Sequence, residues 1–240
     1  MPRAFVLLSG GVDSTVCLMI AHSQFPEVHA VSIDYGQRHY KEVQAARDIT
    51  RLLGIPHRVL NLADIVPRTM LTDSTAEVPN ISYDEIQGVS PTYVPFRNGL
   101  MLSALTSFAV GERLRMHFCD ATVDDAGREW EWALYFGAHA EDARGWAYPD
   151  CTPEFIGAMA NAIYVGTYHQ FRLHTPLQWL TKKDIIKWGE ELKAPWGLTW
   201  SCYKGGKLHC GTCPTCRARQ AGFREAGVTD PTEYEAAQAA

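Results

Sequence analysis

The sequence predicts an open parallel α/β sheet with helices on both faces, followed by a small metal-binding tail at the C-terminal end. A short apolar run without alternation lies at residues 5–8, and two further runs of strand length follow at 29–33 and 57–60. Runs of this kind are typical of strands buried on both faces, and helical patterns separate them along the chain. This alternation favours right-handed crossovers between parallel strands. Because four cysteines crowd the tail, we divide the chain into an α/β domain at 1–195 and a tail at 196–240.

In the N-terminal half, each predicted strand leads into a turn or a helix. The first run ends at a Ser-Gly-Gly turn, after which residues 16–20 have a helical pattern. The second run leads to a helix at 41–53, whose apolar residues fall on one face and which Gly54 ends. The third run precedes a stretch at 61–92 that is rich in Pro, Ser, Thr and Asp. A loop of that length inside a compact domain predicts a functional lid or partial disorder.

The second half of the α/β domain resumes the same pattern. Helices are predicted at 99–110 and 153–166, and strands at 133–136 and 171–175. A further helix begins after Thr181, whose side chain can cap it together with Asp184 three residues later. The helical period breaks at residues 194–197, where we place the start of the tail.

The charge balance excludes several classes of protein. The chain carries 22 Lys and Arg against 27 Asp and Glu, a net charge of −5, which argues against a role in binding duplexes or membrane surfaces. No stretch approaches the length of apolar residues that a signal peptide or a membrane span requires. We therefore expect a cytoplasmic protein with no membrane contact and no direct nucleic-acid binding. A small nucleotide or nucleobase ligand stays compatible with this charge.

The seven cysteines of the chain predict a metal site rather than a set of disulfides. Four of them follow the spacing C-x7-C-x2-C-x2-C, at Cys202, Cys210, Cys213 and Cys216. Thiols stay free in a reducing cytosol, and four thiolates match a closed tetrahedral zinc site. An iron–sulfur cluster is the alternative, because C-x2-C-x2-C also occurs in ferredoxin-type ligation. The scattered cysteines are Cys17, Cys119 and Cys151.

The turn after the first strand has the composition of a phosphate-binding loop. It comprises Leu8, Ser9, Gly10, Gly11, Val12, Asp13, Ser14 and Thr15. Consecutive backbone N–H groups at a helix N-terminus favour an anion, and two glycines let the chain approach phosphate closely. The loop lacks the Lys that the usual phosphoryl-transfer NTPases place there. Asp13 can hold a magnesium ion or cap the helix.

Asp34 and Gln37 follow the second strand, where we expect further nucleotide contacts. An open α/β sheet places its ligands outside the carboxyl ends of the strands. For Asp34, initiation of a turn ahead of Gly36 is an equally good interpretation.

The segment 9–14 resembles the pyrophosphate loop (PP-loop) of the ATP-pyrophosphatase superfamily, whose members cleave ATP to AMP and pyrophosphate while adenylating an acid or amide. Further motifs narrow the resemblance to the 7-cyano-7-deazaguanine synthase family. They are DYGQRH at 34–39, VPFRN at 94–98, YPDC at 148–151, PEF at 153–155, TWSCY at 199–203, the three last tail cysteines with Arg219, and DPT at 230–232. The match runs in order over nearly the whole chain, apart from an insertion at about 111–132.

The resemblance implies an adenine nucleotide alpha hydrolase-like fold and a ligase that forms C–N bonds in 7-deazaguanine (queuosine-type) nucleoside biosynthesis. Such an enzyme converts 7-carboxy-7-deazaguanine and ammonia to the nitrile, using ATP and Mg²⁺. Adenylation turns a carboxylate oxygen into a good leaving group, and ammonia then gives the amide. A second activation, at the amide oxygen, permits formation of the nitrile. The resemblance also leads us to expect a homodimer.

Substrate-binding roles follow from the same motifs. Arg97 is the candidate clamp for phosphate or for the substrate carboxylate, because a guanidinium matches such anions with two hydrogen bonds. With Asn98, the pair Asp150 and Cys151 is expected to line the pocket for the deazaguanine ring.

Catalytic roles are expected for Asp13, Arg97, His139 and Asp142. The loop holds the leaving pyrophosphate with Asp13 near the metal. His139 and Asp142, together with Glu141, follow the fourth strand and can take protons from ammonium or order magnesium.

Other interpretations of the sequence stay open. A variant of the family that stops at the amide, or that passes the activated deazaguanine to another acceptor, would keep the same motifs. ATP-dependent thiolation of tRNA also uses this loop, and a zinc-knuckle binding module could use nucleotide only structurally. The insertion at 111–132 predicts a surface flap, an oligomer contact or an altered substrate gate.

Overall fold

Five parallel strands form one sheet at the centre of the molecule, in the order β3-β2-β1-β4-β5. The computed structural model describes residues 3–82, 85–86, 88–117, 132–139, 141–142 and 146–235. The strands are β1 (Arg3–Leu7), β2 (Glu27–Asp34), β3 (His57–Asn61), β4 (Trp132–Tyr135) and β5 (Phe171–His174). All four pairings are parallel, so the predicted open parallel sheet is confirmed.

Helices cover both faces of this sheet. They are α1 (Val12–Gln24), α2 (Lys41–Leu53), α3 (Arg97–His117), α4 (Pro153–Gly166), α5 (Lys182–Glu191) and α6 (Pro214–Ala226). One apolar core joins the sheet to α1, α2 and α5, and the other joins it to α3 and α4. Within the described ranges, no helix combines the length and the apolar character needed to cross a bilayer.

The chain reverses its direction of winding between β1 and β4. The connections from β1 lead through α1 and α2 on one face, whereas the connection from β4 leads through α4 on the other. Adjacent strands whose crossovers leave in opposite directions open a crevice at their carboxyl ends, where ligands bind in folds of this kind. The loops after β1 and β4 therefore face each other across the site described below.

Two predicted helix boundaries are wrong. Helix α1 extends well beyond the predicted residues 16–20, and α3 continues past residue 110 to His117. Helix α3 continues beyond the predicted end because Arg113 extends its buried face and packs on the Trp132 ring. Part of the predicted insertion is therefore helical, and the rest, including Cys119, lies outside the described residues.

Helix α6 was not predicted at all. The cysteines at its start obscured the apolar pattern, yet Phe223 is buried in the core shared with α1 and α5. Gly227 ends the helix in the left-handed conformation, at φ 72°. The tail is thus packed onto the α/β domain through α5 and α6.

The long connection after β3 packs on the cysteine cluster of the tail. Leu71, Val78 and Val94 are buried against Cys202 and its neighbouring cysteines. Arg38 further fastens this connection by donating to the carbonyl oxygen of Ala76 at 2.7 Å. The described part of the connection is therefore an ordered wall, although it contains no helix or strand longer than a turn.

Candidate active site

The phosphate-binding loop begins directly after β1 and ends in the first turn of α1. Hydroxyl groups fix its shape: the Ser9 N–H donates to Ser14 Oγ at 3.2 Å, and Thr15 Oγ1 donates to the Gly11 carbonyl at 2.7 Å. Gly10 has φ +83°, and a Cβ there would lie 2.4 Å from the backbone oxygen of Glu42. Only glycine fits this position, because both the dihedral angle and the approach of α2 exclude a side chain.

A pocket of about 210 Å³ opens above this loop. Its floor contains the loop, and its walls come from α2, the start of α3, the segment after β4, the start of α5 and the tail. The predicted site residues that line it are Leu8, Ser9, Gly11, Val12, Asp13, Ser14, Gln37, Arg97, Asn98, Asp142 and Cys151. Residues predicted from distant parts of the sequence are thus brought together in one cavity.

Four charged or titratable side chains meet at the crevice between β1 and β4. Lys182 Nζ donates to both carboxylate oxygens of Asp13, at 2.6 and 2.7 Å. His139 Nε2 lies 3.1 Å from Lys182 Nζ, 3.2 Å from Asp142 Oδ2 and 3.6 Å from Asp13 Oδ2. Two carboxylates therefore share one ammonium and one imidazole.

This arrangement sets the protonation of its members. Burial favours the neutral form of Asp13, but the Lys182 ammonium and His139 hold the pKa of that carboxyl well below its usual range. Burial likewise disfavours the ammonium, and the carboxylates of Asp13 and Asp142 nevertheless raise the pKa of Lys182. Asp13 is consequently ionised and Lys182 is charged at neutral pH.

His139 is held inside this cluster rather than at the pocket surface. Its side chain is buried, and its Nδ1 atom has no hydrogen-bond partner within the described part of the chain. Burial lowers the pKa of His139, but the carboxylates of Asp142 and Asp13 together more than offset that effect, so the pKa lies above its ordinary value. The buried imidazole of His139 therefore packs directly against the Lys182 ammonium.

Magnesium does not fit Asp13 in this arrangement. Both carboxylate oxygens of Asp13 already accept from the Lys182 ammonium, which occupies the place next to them. Among the described residues, the one group of three or more ligating side chains close enough to share an ion is the cysteine cluster. In this arrangement Asp13 therefore serves as the partner of Lys182 rather than as a magnesium ligand.

On the opposite wall, Arg97 begins α3 and reaches into the pocket. Its guanidinium lies 5.7 Å from the centre of the Tyr35 ring. Burial raises the pKa of the Tyr35 phenol to about 12, so this ring is neutral and presents its face to the guanidinium. The charge of Arg97 stays available to an anion in the cavity.

Asp150 supports this wall from behind. Its Oδ2 accepts from the Asn98 backbone N–H at 2.9 Å, next to the N-terminus of α3, where a carboxylate is favoured. The Asn98 amide donates to the Asp150 carbonyl at 3.2 Å and to Cys151 Sγ at 3.1 Å. Cys151 and Asn98 reach the pocket, whereas Asp150 does not line it.

The turn after β2 contains two residues predicted to contact the nucleotide, Asp34 and Gln37, and only Gln37 lines the pocket. Asp34 Oδ1 accepts from the Gly36 N–H at 3.1 Å, which agrees with turn initiation. Gln37 lines the pocket, while its Oε1 accepts from the Tyr35 N–H at 2.9 Å. Neither Asp34 nor the buried Thr15 lines the cavity wall.

The four cysteines of the tail fit a single metal ion. Their sulfur atoms all lie within 4.8 Å of one another, with Cys210 Sγ 3.9 Å from Cys216 Sγ. Backbone N–H groups point at these sulfurs, as from Cys213 to Cys210 Sγ at 3.3 Å. Sulfur ligands about 2.3 Å from a tetrahedral zinc ion would lie at about this separation from one another.

The tail also reaches the phosphate loop directly. The backbone N–H of Trp200 donates to the Gly10 carbonyl at 2.9 Å, and Trp200 lines the pocket. Lys41 Nζ lies 4.2 Å from the centre of the Trp200 ring. Trp196, by contrast, is buried against Phe223 in the apolar core.

Sequence reasoning missed two charged residues of the pocket, Lys182 and Glu42. Each lies in the first turn of a helix. For Lys182 a signal existed, because a Lys in the first turn is unfavourable to the helix dipole and calls for an anionic partner. Glu42 gave no such signal, since acidic residues are common at helix starts.

Comparisons with known proteins show which family the sequence matches. A family model described as "Queuosine biosynthesis protein QueC" matches residues 3–227. The 7-cyano-7-deazaguanine synthase of Thermoplasma acidophilum is 40% identical, covering 97% of this chain and 92% of that protein. The enzyme of the same name from Leptospira interrogans is 41% identical, covering 95% and 89%.

A solved structure of the U34-tRNA thiolase NcsA from Methanococcus maripaludis matches more distantly. It has a TM-score of 0.47 and 16% identity, over 98% of this chain and 74% of that chain. The likeness is too weak to bear on activity, so the sequence relatives carry the comparison.

Proposed function

Since the chain belongs to the QueC family of queuosine biosynthesis proteins, we propose that it converts 7-carboxy-7-deazaguanine and ammonia to 7-cyano-7-deazaguanine at the expense of ATP. The observation that carries the proposal is the single pocket in which the phosphate loop faces Arg97. Acyl adenylation needs an anion site for the leaving pyrophosphate and another for the attacking carboxylate. The phosphate loop supplies the site for pyrophosphate, and Arg97 supplies the site for the carboxylate.

In the first step, a substrate carboxylate oxygen attacks the α-phosphorus of ATP, and the bond to pyrophosphate breaks. The backbone N–H groups at the start of α1 hold the leaving group, because a helix N-terminus favours anions. Lys182 adds a positive charge next to the loop, held in place by Asp13. Fixed charges of this kind stabilise the charge that develops on pyrophosphate.

Arg97 orients the substrate carboxylate toward the nucleotide. Its guanidinium lies next to the Tyr35 ring, and its backbone is fixed as the first residue of α3. Two parallel hydrogen bonds from the guanidinium would hold one carboxylate in a fixed plane. Alignment of the carboxylate with the α-phosphorus lowers the activation barrier, because a bimolecular reaction becomes effectively unimolecular.

Cys151 contacts the substrate as a neutral thiol and not as a nucleophile. Burial raises the pKa of this thiol well above its ordinary value, and neighbouring carboxylates raise it further. A thiol is nucleophilic only as the thiolate, which this environment disfavours. Asn98 fixes the position of the sulfur at the pocket wall.

The amide and the nitrile follow in the same pocket. Ammonia attacks the acyl adenylate, and the C–O bond breaks as AMP leaves with its electron pair. The amide oxygen then attacks the α-phosphorus of a second ATP and displaces pyrophosphate. Loss of AMP, with cleavage of its C–O bond, and of two N–H protons then gives the nitrile. One site can serve both rounds, because each begins with a substrate oxygen attacking the α-phosphorus of an ATP molecule.

Zinc is our proposal for the metal held by Cys202, Cys210, Cys213 and Cys216. The mutual distances of the sulfurs and the N–H groups directed at them support it. A closed four-thiolate site contributes folding energy rather than chemistry. Magnesium stays a prediction. We expect it to enter the pocket bound to the phosphates of ATP, since the Lys182 ammonium already binds the Asp13 carboxylate. A homodimer, a cytoplasmic location and the absence of direct nucleic-acid binding also stay predictions.

Incubation with ATP, Mg²⁺, ammonia and 7-carboxy-7-deazaguanine, followed by mass spectrometry of the base, tests the proposal. We expect the nitrile, together with AMP and pyrophosphate. An amide as the end product would indicate the variant that stops early, and ADP with phosphate would overturn the adenylation mechanism. AMP release that depends on tRNA and not on the deazaguanine would support thiolation instead.

A further inference from the structure

Glu42 is a carboxylate of the pocket that the mechanism above does not use, and unlike Asp142 it has no ion-pair partner among the described residues. Glu42 lies in the first turn of α2 and lines the cavity on the same wall as Tyr35 and Arg97. Within the described residues, its carboxylate has no hydrogen-bond partner, and Arg97 acts on it only through longer-range attraction. A half-buried acid without a structural partner is costly to keep, which points to a functional use.

The backbone fixes Glu42 relative to the phosphate loop. Its carbonyl oxygen lies so near Gly10 that a Cβ there would be 2.4 Å away. The next residue, Val43, is buried in the protein interior. The backbone that carries the Glu42 side chain is therefore held next to the loop that binds the nucleotide.

The surroundings of Glu42 bring the pKa of its carboxyl close to neutral pH. Burial raises the pKa of Glu42 to about 7, and the positive charge of Arg97 offsets only part of that effect. Tyr35 faces it from the turn after β2 and is itself neutral. The other charged groups of the pocket are Asp13, Asp142, Lys182 and Arg219. A proton acceptor works best when its pKa lies near the operating pH.

We propose that the Glu42 carboxylate accepts the protons that the nitrogen atom gives up during amide and nitrile formation. This inference rests on the function proposed above. His139, the acceptor expected from the sequence, is less suited, because its Nε2 already lies among Lys182 and two carboxylates. Glu42 instead lies at the pocket surface, on the same wall as the residue that clamps the reacting group.

The proton balance assigns Glu42 to defined steps. Ammonium has no lone pair, so one proton moves to the carboxylate before nitrogen attacks the acyl adenylate. The adduct loses a second proton when the C–O bond to AMP breaks. After activation of the amide, two more protons leave nitrogen as the C–O bond breaks and the nitrile forms. Glu42 returns each proton to water before it accepts the next.

Adenylation of the acid involves no proton transfer from nitrogen, which allows a sharp test. Exchange of labelled pyrophosphate into ATP, measured with 7-carboxy-7-deazaguanine and no ammonia, reports adenylation alone. For Glu42→Gln we expect exchange within about twofold of wild type and amide formation lowered by roughly 10²–10⁴-fold. Glu42→Asp should recover part of this loss, and Glu225→Gln, at an exposed site on α6, serves as the matched control.

The pH dependence provides a second readout. For wild type, kcat/KM for ammonia should rise through a midpoint near the Glu42 pKa of about 7, because only the ionised carboxylate accepts a proton. This limb should vanish in Glu42→Gln. Parallel loss of exchange and amide formation would overturn the inference and make Glu42 a binding residue. Absence of exchange in wild type would instead refute the proposed function itself.

Discussion

Replacement of Arg219 by Met should destabilise the protein more than any change at an exposed arginine. This side chain is 1% exposed, and its Nε donates to both oxygens of Asp230, at 3.2 and 3.1 Å. Its other nitrogens donate to Thr199 Oγ1 at 2.7 Å, Ser201 Oγ at 3.3 Å and the Trp196 carbonyl at 3.3 Å. One guanidinium thus connects the start of the tail, α6 and the final segment.

The expected loss of stability follows from the buried partners that Arg219→Met leaves without a hydrogen-bond donor. Removing one member of a buried ion pair costs about 3–5 kcal/mol, because the other charge stays buried. For a chain of this length, each kcal/mol lowers Tm by roughly 2 °C, so we expect a fall of about 6–10 °C. Thermal unfolding at pH 7 in zinc-replete buffer, followed by circular dichroism, measures it. Arg224→Met, an exposed change on the same helix, should cost no more than about 0.5 kcal/mol.

The pH dependence of this effect has a definite sign. Burial raises the pKa of Asp230, but Arg219 more than offsets it and holds the pKa below its usual range. A carboxyl whose pKa is lowered on folding adds stability above its unfolded pKa of about 3.9, and that stability is lost as pH falls through the folded pKa. The Tm gap between wild type and Arg219→Met should therefore narrow in that acidic range. A fall at pH 7 no larger than that of Arg224→Met would refute the reasoning.

Three further changes probe the site and the tail. Gly10→Ala should abolish ATP binding, measured by calorimetry, because φ is +83° and the new methyl group would lie 2.4 Å from a backbone oxygen of α2. Gly157→Ala, in open space on α4, should instead raise stability by about 0.5–1 kcal/mol. Cys213→Ala should lower both bound zinc and solubility, measured by elemental analysis and centrifugation, since binding and folding are coupled. Lys182→Met should lower the rate of pyrophosphate exchange by about 10²-fold or more, whereas the exposed Lys187→Met should not.

Each of these changes has an outcome that contradicts it. Unaltered ATP affinity in Gly10→Ala would mean that α2 moves freely away from the loop. Zinc content equal to wild type in Cys213→Ala would refute the four-cysteine site. Equal exchange rates in the two lysine variants would remove Lys182 from the mechanism.

The strands and the phosphate loop were predictable because their signals are local. Apolar runs of strand length, a Gly-Gly turn and the capping pair Thr181 and Asp184 all act within a few residues, and the structure contains the complete capping box. The cysteine spacing is equally local. These features need no knowledge of which elements become neighbours.

The contacts of the charged pocket residues were not predictable, because they depend on how distant segments meet. Lys182 reaches Asp13 across 169 residues of chain. Asp150 was expected at the substrate, yet it supports Asn98 because the loop after β4 passes the start of α3. Periodicity describes which face of a helix is apolar, but it does not say which carboxylate a lysine will find. The roles of these residues therefore depended on the folded geometry.

The hydrogen bond from Trp200 to Gly10 ties the phosphate loop to a segment synthesised much later. The loop leaves the ribosome early, but one wall of its pocket comes from Trp200 and later residues of the tail. At 5–20 residues per second, roughly 10–40 s separate the synthesis of Gly10 from that of Cys216. During this interval the nascent chain carries a phosphate loop without the wall that completes it. Because residues from Trp200 to Arg219 form that wall, the complete pocket exists only after this part of the tail has been synthesised.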